Sequence, residues 1–124
     1  MIGIAEVEDA AGRLAGVVVK TPLIGNAALD EAAGGRVLLK PESFQSIGSF
    51  KIRGAYNLMS RLSEERARHG AVAFSSGNHA QGVALAGRLL GIHAAIVMPE
   101  DAPRAKLEAT RDLGGEVKSE AKRS

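Results

Sequence analysis

The sequence contains no cysteine and no tryptophan, and aromatic residues make up only 3% of its 124 residues. Without cysteine, disulfide bonds and thiolate metal sites within this chain are excluded. The three histidines, His69, His79 and His93, lack the close spacing that is typical of metal ligands. We therefore expect no metal site.

The chain also lacks a strong charge of one sign and lacks long apolar runs. Its 16 basic and 14 acidic residues are interleaved, which gives a net charge of +2. Scattered basic residues with few aromatic side chains argue against nucleic-acid binding. No apolar run approaches the roughly 20 residues of a membrane helix, and the N-terminal residues are acidic where a secretory signal is basic. We expect a cytoplasmic protein without a membrane segment.

The apolar pattern in the first half of the chain predicts two helices separated by an irregular arm. Val7, Ala10, Ala11 and Leu14 recur at helical spacing, and this helix should end near Gly16. Residues 37–39 are a short apolar run and predict a strand. A second helix should begin after an N-cap at residue 49 and continue towards residue 70.

The second half alternates between buried strands and helices. Apolar runs at 71–74 and 94–98 predict strands, and the segments 78–90 and 103–113 have helical patterns that end at glycine. This alternation predicts an α/β fold with a parallel sheet flanked by helices. Ligands of such sheets gather at the carboxyl ends of the strands.

Two segments have residues suited to chemistry. Segment 48–55 reads GSFKIRGA, and segment 75–82 reads SSGNHAQG. A lysine at a helix start can be a Schiff-base nucleophile, and a Ser/Gly/Asn turn at a helix start can bind an anion. Each has a structural alternative: Lys51 can be an ordinary solvated lysine, and the serines and Asn78 can serve only as helix caps.

The amino-acid sequence of these segments resembles that of fold-type II pyridoxal-phosphate enzymes of the threonine/serine dehydratase and serine racemase branch. The resemblance begins with TPL at 21–23, includes LKPESFQ at 39–45 and VMP at 97–99, covers Lys106 and stops near Gly115. It implies a truncated form of the tryptophan synthase β-like fold. Residues 1–115 would be the N-terminal part of a dehydratase fold, and residues 116–124 a polar, frayed tail.

The resemblance also implies roles for individual residues. Lys51 would form the Schiff base with pyridoxal 5'-phosphate and serve as catalytic base, and Phe50 would pack near the cofactor ring. Asn78 would donate a hydrogen bond to the phenolic oxygen of the pyridine. Ser76 could act as an acid or base on the opposite face in racemising relatives. The substrate carboxylate would be held by the turn formed by Ser75, Ser76, Gly77, Asn78 and His79.

The activity implied by the resemblance is threonine/serine ammonia-lyase chemistry. The α-proton of the amino acid would pass to Lys51, the β-hydroxyl would leave, and a 2-oxo acid and ammonia would be released. Amino-acid racemisation through Ser76 is the first alternative, and a β-replacement synthase ranks after it. The glycine-rich phosphate-binding loop of the family is not found in the sequence. A second hypothesis is therefore a non-catalytic fragment or subunit that self-associates or needs a missing C-terminal half.

Overall fold

The computed structural model describes residues 1–120; residues 121–124 lie outside the described part. A three-stranded parallel sheet has the order β3, β4, β5, formed by Ala71–Phe74, Ala94–Pro99 and Glu116–Glu120. A separate antiparallel pair joins β1 (Ile24–Gly25) to β2 (Leu38–Leu39). The helices are α1 (Ile4–Leu14), α2 (Ala27–Ala33), a 3₁₀ turn (Glu42–Phe44), α3 (Lys51–Met59), α4 (Glu64–His69), α5 (Asn78–Leu90) and α6 (Arg104–Asp112). The predicted α/β class with a parallel sheet flanked by helices is confirmed.

The core lies between the sheet and the helices α3 and α5. In the central strand β4, burial alternates along the chain, and Ala94, Ile96 and Met98 are buried. Successive residues of a strand point to opposite faces, so these three side chains share one face of the sheet. They join Ile52, Ala55 and other apolar residues of α3 and α5 in one cluster.

Helix α5 is buried along most of its length and is rich in alanine and glycine. Residues 80–87 are all buried, and the sequence there is AQGVALAG. At Gly87, an added Cβ would lie 2.6 Å from the backbone oxygen of Ile92 and 3.0 Å from the Cβ of Ala94. Glycine is therefore required for α5 to lie this close to the start of β4.

The first half of the chain differs from the predicted pattern in three places. Helix α2 occupies part of the arm that was expected to be irregular. The single helix expected up to residue 70 is divided into α3 and α4, and the Ser63 hydroxyl caps α4 by accepting from the amide of Arg66. Helix α3 begins after Phe50 rather than after Ser49, but the Ser49 hydroxyl accepts from the amide of Lys51 over 3.4 Å and so still caps the first turn.

The expected frayed tail is wrong for residues 116–120. These residues form β5, whose backbone pairs with β4 from Ala95↔Glu116 to Pro99↔Glu120. Backbone pairing does not depend on apolar side chains, and Val117 packs against the core cluster. The other residues of the predicted tail, 121–124, lie outside the described part of the chain. No helix within residues 1–120 has both the length and the apolar character needed to cross a bilayer.

Candidate active site

The turn 75–79 lies at the carboxyl end of β3, where the topology of the sheet predicts a ligand site. The amide of Ser75 donates to the carbonyl of Val97 on the neighbouring strand over 3.1 Å. The Ser75 hydroxyl accepts from the amide of Gly77 over 3.2 Å. The base of the turn is therefore tied to β4, and the Ser75 hydroxyl oxygen already has a partner within the turn.

Helix α5 begins at this turn without a side-chain cap. Gly77 is the N-cap residue, and no side chain of the described residues accepts from the first amides of the helix. No atom lies within 4 Å of a Cβ built at Gly77, so the space beside it is open. The first N–H groups of a helix lack partners within the helix and attract anions. The side chains of Ser76, Asn78 and His79 are exposed around this helix start.

Lys51 is the first residue of α3, and its amine is available. The ammonium lies 5.1 Å from the ring centre of Phe50, within the range of a cation–π contact. Within residues 1–120 the ammonium has no hydrogen bond or ion pair, whereas the backbone amide of Lys51 donates to the Ser49 hydroxyl over 3.4 Å. Phe50 itself is exposed rather than part of the core.

Gly82 brings the helix of Lys51 against the helix of the turn. A Cβ at Gly82 would lie 3.1 Å from the backbone carbon and oxygen of Lys51 and 3.3 Å from the amide nitrogen of Ile52. Gly82 is four residues after Asn78, which is about one helical turn. The start of α3 therefore touches α5 one turn from the start of α5. Gly82 was not predicted as part of the site, although glycine inside a helix is a signal of close packing.

A polar network fixes the first turn of α3 from the other side. Arg53 donates to both carboxylate oxygens of Glu42, over 2.7 and 2.8 Å, and the Thr21 hydroxyl donates to the same carboxylate over 2.6 Å. Arg53 also donates to the carbonyl of Val19, whose backbone exchanges two hydrogen bonds with the side chain of Gln45. Arg53 thus has a structural role.

The electrostatics of this network are strong. The Arg53 guanidinium is the main cause that holds the pKa of Glu42 at about 2, well below its usual 4.5, and it outweighs the opposing effect of burial. The pKa of Arg53 is raised in turn by its hydrogen bonds to Glu42. Glu42 is therefore a carboxylate at any physiological pH. Its charge is committed to the positioning of Arg53, two residues after Lys51.

Asn78 has a partner that was not predicted from the sequence. The ammonium of Lys106, in the first turn of α6, donates to the Oδ1 atom of Asn78 over 3.0 Å. The two residues follow adjacent strands, β3 and β4, and meet at the same edge of the sheet. His79, by contrast, lines a small cavity of about 140 Å³ with residues of α3 and β3, and Lys51 is not part of that lining.

Comparison with known proteins identifies the family. Residues 14–120 match the family model described as "Pyridoxal-phosphate dependent enzyme". The chain belongs to this family. It is 50% identical over 117 residues to the L-threonine ammonia-lyase of Thermotoga maritima, covering 94% of this chain and 29% of the relative. It is 53% identical over 112 residues to the L-threo-3-hydroxyaspartate ammonia-lyase of a Pseudomonas species, covering 90% of this chain and 35% of that relative.

Two solved structures contain the fold of this chain. Maize serine racemase superposes with a TM-score of 0.88 at 40% identity, over 97% of this chain and 36% of the racemase. Threonine deaminase isoform 2 of Solanum lycopersicum superposes with a TM-score of 0.84 at 42% identity, over 96% of this chain and 35% of the deaminase. The chain therefore spans about a third of the length of these relatives.

The donors at this site suit the chemistry of a pyridoxal-phosphate dependent enzyme. An aldehyde requires an amine without another partner, and Lys51 provides one. An anionic ligand requires N–H donors that nothing else occupies, and the uncapped start of α5 provides these. The residues present therefore fit the cofactor and an amino-acid carboxylate.

Proposed function

We propose that this chain carries the lysine and the carboxylate-binding turn of a threonine/serine ammonia-lyase, with residues 1–115 as the N-terminal part of the dehydratase fold. The observation that supports this most is the contact at Gly82. It sets the start of α3, with the available amine of Lys51, against α5 one turn from its uncapped start. The names of the relatives support the same reaction class.

Each residue of the site has a part in this proposal. Lys51 is the attachment point of pyridoxal 5'-phosphate, Phe50 packs beside it, and Asn78 donates to an oxygen of the cofactor. The substrate carboxylate is bound by the start of α5, through backbone N–H groups of the turn and the Ser76 hydroxyl. The side chains of Ser75 and His79 and the backbone of Gly77 complete this turn.

Pyridoxal phosphate, when bound, supplies an electron sink for the negative charge that develops at the α-carbon of the amino acid. The protein contributes orientation and proton transfer. The turn would hold the carboxylate, and the Lys51 amine, released when the amino group of the substrate replaces it on the cofactor, would take the proton from the α-carbon. The β-hydroxyl would take up a proton and leave as water, and a second water molecule would hydrolyse the dehydrated amino acid to the 2-oxo acid and ammonia.

Racemisation is the alternative within the same family, and it has one observation in its favour. Ser75 and Ser76 differ in the structure: the Ser75 hydroxyl accepts a hydrogen bond inside the turn, whereas Ser76 is exposed. An exposed hydroxyl beside the carboxylate site can exchange a proton with the substrate. The solved racemase structures that resemble this chain support keeping this alternative.

Covalent attachment of the cofactor tests the proposal directly. The chain is incubated with pyridoxal 5'-phosphate, reduced with borohydride and mapped by mass spectrometry. We expect attachment at residue 51 and its loss in Lys51→Ala. Lys20→Ala is the matched control, because Lys20 is also a lysine, is exposed and lies outside the site, and it should leave the attachment unchanged. Equal attachment in both variants would refute the assignment of Lys51.

Turnover is a separate measurement. L-threonine and L-serine are supplied with the cofactor, and 2-oxo acid is followed by absorbance. We expect little or no product, since the chain spans about a third of the length of its relatives and no glycine-rich phosphate loop was recognised in its sequence. Loss of well-placed electrostatic contacts typically costs on the order of 100-fold each in rate. Rapid turnover by this chain alone would show that the site is already sufficient.

A second candidate function is that of a subunit or fragment that works with a complementary polypeptide. It is supported by β3, which pairs only with β4 within the described residues. Val72 and Phe74 on this strand are 77% and 65% exposed. Apolar side chains beside an open strand edge favour association. Analytical ultracentrifugation should detect self-association, and a monomer that melts cooperatively would count against this candidate.

A further inference from the structure

Lys106 and Asn78 form a contact that no step of the proposed function uses. Asn78 opens α5 after β3, and Lys106 lies in the first turn of α6 after β4. Their hydrogen bond of 3.0 Å joins the two connections at the carboxyl edge of the sheet. We propose that Lys106 is a positioning residue, which fixes the carboxamide of Asn78 so that its N–H donors face an oxygen of the ligand. This inference rests on the proposed function.

The direction of the hydrogen bond determines the orientation of the carboxamide. A lysine ammonium has three donors and no acceptor, so it can pair only with the oxygen end of an asparagine side chain. Oδ1 of Asn78 is that partner. The NH₂ end must then point away from Lys106. Asn78 therefore presents donors, and the ligand group that it recognises is an oxygen acceptor, most favourably an anionic one.

The backbone of Lys106 is held in place by its own helix. Its amide donates to the carbonyl of Pro103 over 2.8 Å, and its carbonyl accepts from the Thr110 hydroxyl over 2.8 Å. Thr110 is fully buried, so this second bond is shielded from water. Lys106 is half-buried, and its contact with Asn78 lies at the surface. The side chain of Lys106 therefore starts from a fixed backbone, and its hydrogen bond restricts the rotation of the Asn78 carboxamide in this proposal.

A matched set of variants tests this assignment. Lys106→Met removes the donor and keeps the length of the side chain, and Lys106→Arg restores a donor. Asn78→Asp keeps an acceptor for Lys106 but has no N–H donors. The control is Arg104→Met, which removes one positive charge from the same helix; Arg104 is 90% exposed and pairs with Glu108 instead.

Two measurements are made on the full chain. The first is the nitrogen–proton NMR spectrum of the Asn78 side-chain amide without cofactor. Its resonances should shift in Lys106→Met, should recover most of the way in Lys106→Arg, and should be unchanged in Arg104→Met. The second is the dissociation constant for pyridoxal 5'-phosphate, followed by absorbance. We expect it to rise about fivefold in Lys106→Met, more than tenfold in Asn78→Asp and less than twofold in Arg104→Met.

The outcomes separate this inference from the proposed function. Identical Asn78 amide resonances in the unmodified chain and Lys106→Met would overturn the inference, whether or not cofactor binds. A shifted amide with unchanged cofactor affinity would show that Lys106 has no positioning role. If the unmodified chain does not attach pyridoxal phosphate, the proposed function fails, and the ligand-facing role of Asn78 fails with it. Lys106→Arg folds with the same charge and keeps the test valid if Lys106→Met is unstable.

Discussion

Two regions hold the start of α3, and they do so by different physical means. The arm that precedes it is attached through charge and hydrogen bonds, centred on the Glu42–Arg53 pair. Helix α5 packs closely against the start of α3 because Gly82 has no side chain and the residues around it are rich in alanine. The first attachment depends on pH, and the second depends on volume. The position of Lys51 can therefore be disturbed from either side independently.

The largest effect is expected where the α5 region has least space. Gly87→Ala places a methyl group 2.6 Å from the backbone oxygen of Ile92, and the amide of Ile92 donates to the carbonyl of Gly87, which prevents separation. Overpacking of this kind costs about 3 kcal/mol. The measurement is the free energy of unfolding in urea.

Gly12→Ala is the control for this prediction. Gly12 lies inside α1, and nothing lies within 4 Å of its added Cβ. Replacing an unconstrained helix glycine by alanine should raise stability by about 0.5–1 kcal/mol. Equal effects of the two substitutions would show that the close approach at Gly87 has no energetic importance.

The next effect concerns the arm. Glu42→Gln removes the negative charge of a carboxylate that accepts two hydrogen bonds from Arg53 and one from Thr21. The side chain of Glu42 is only 17% exposed. We expect a loss of about 2 kcal/mol near neutral pH. Glu108→Gln is the control, since its i,i+4 pair with Arg104 is exposed and should contribute less than about 0.5 kcal/mol.

The same pair predicts a pH dependence. The pKa of Glu42 is about 2 in the folded chain and 4.5 without its partners. A depressed pKa stabilises the fold above pH 4.5, and this contribution is lost as the pH falls from 4.5 towards 2. Unfolding measured across this range should therefore show a steeper loss in the unmodified chain than in Glu42→Gln. Parallel curves would contradict the assignment.

The smallest effect should arise at Gly82, where the added methyl group meets Lys51 at 3.1 Å. A shift of a few tenths of an ångström can relieve this contact, so Gly82→Ala should cost about 1 kcal/mol. Gly54→Ala, on α3 with no atom within 4 Å of the new Cβ, should be neutral or slightly stabilising. The backbone amide resonances of Lys51 and Ile52 should move only in Gly82→Ala.

Hydrophobic pattern was sufficient to predict the elements that carry the core. The runs that form β3, β4 and α5 are apolar and bounded by glycine or polar turns, and each lies close to its predicted position. Helix α2 was not predicted, because none of its residues is buried and its sequence therefore has no apolar stripe at helical spacing. Strand β5 was missed because EVKSE is polar and forms through backbone pairing with β4.

The site was predictable only as far as its motifs are continuous in sequence. Lys51 and the turn 75–79 could be located from their local sequence motifs. The topology explains why the turn lies at the carboxyl edge of the sheet. Contacts between distant segments could not be read from spacing. Examples are Glu42 with Thr21 and Lys106 with Asn78, which are 21 and 28 residues apart.

The order of the strands has a consequence for how the chain folds during synthesis. β4 pairs with β3, and β5 pairs with β4, so each strand joins the one that was made before it. Within residues 1–120, neither β4 nor β5 requires a later segment in order to pair. Helix α5 connects β3 to β4 and buries its small side chains against them. The sheet can therefore grow by one strand–helix unit at a time as the polypeptide leaves the ribosome, and each loop closed is short.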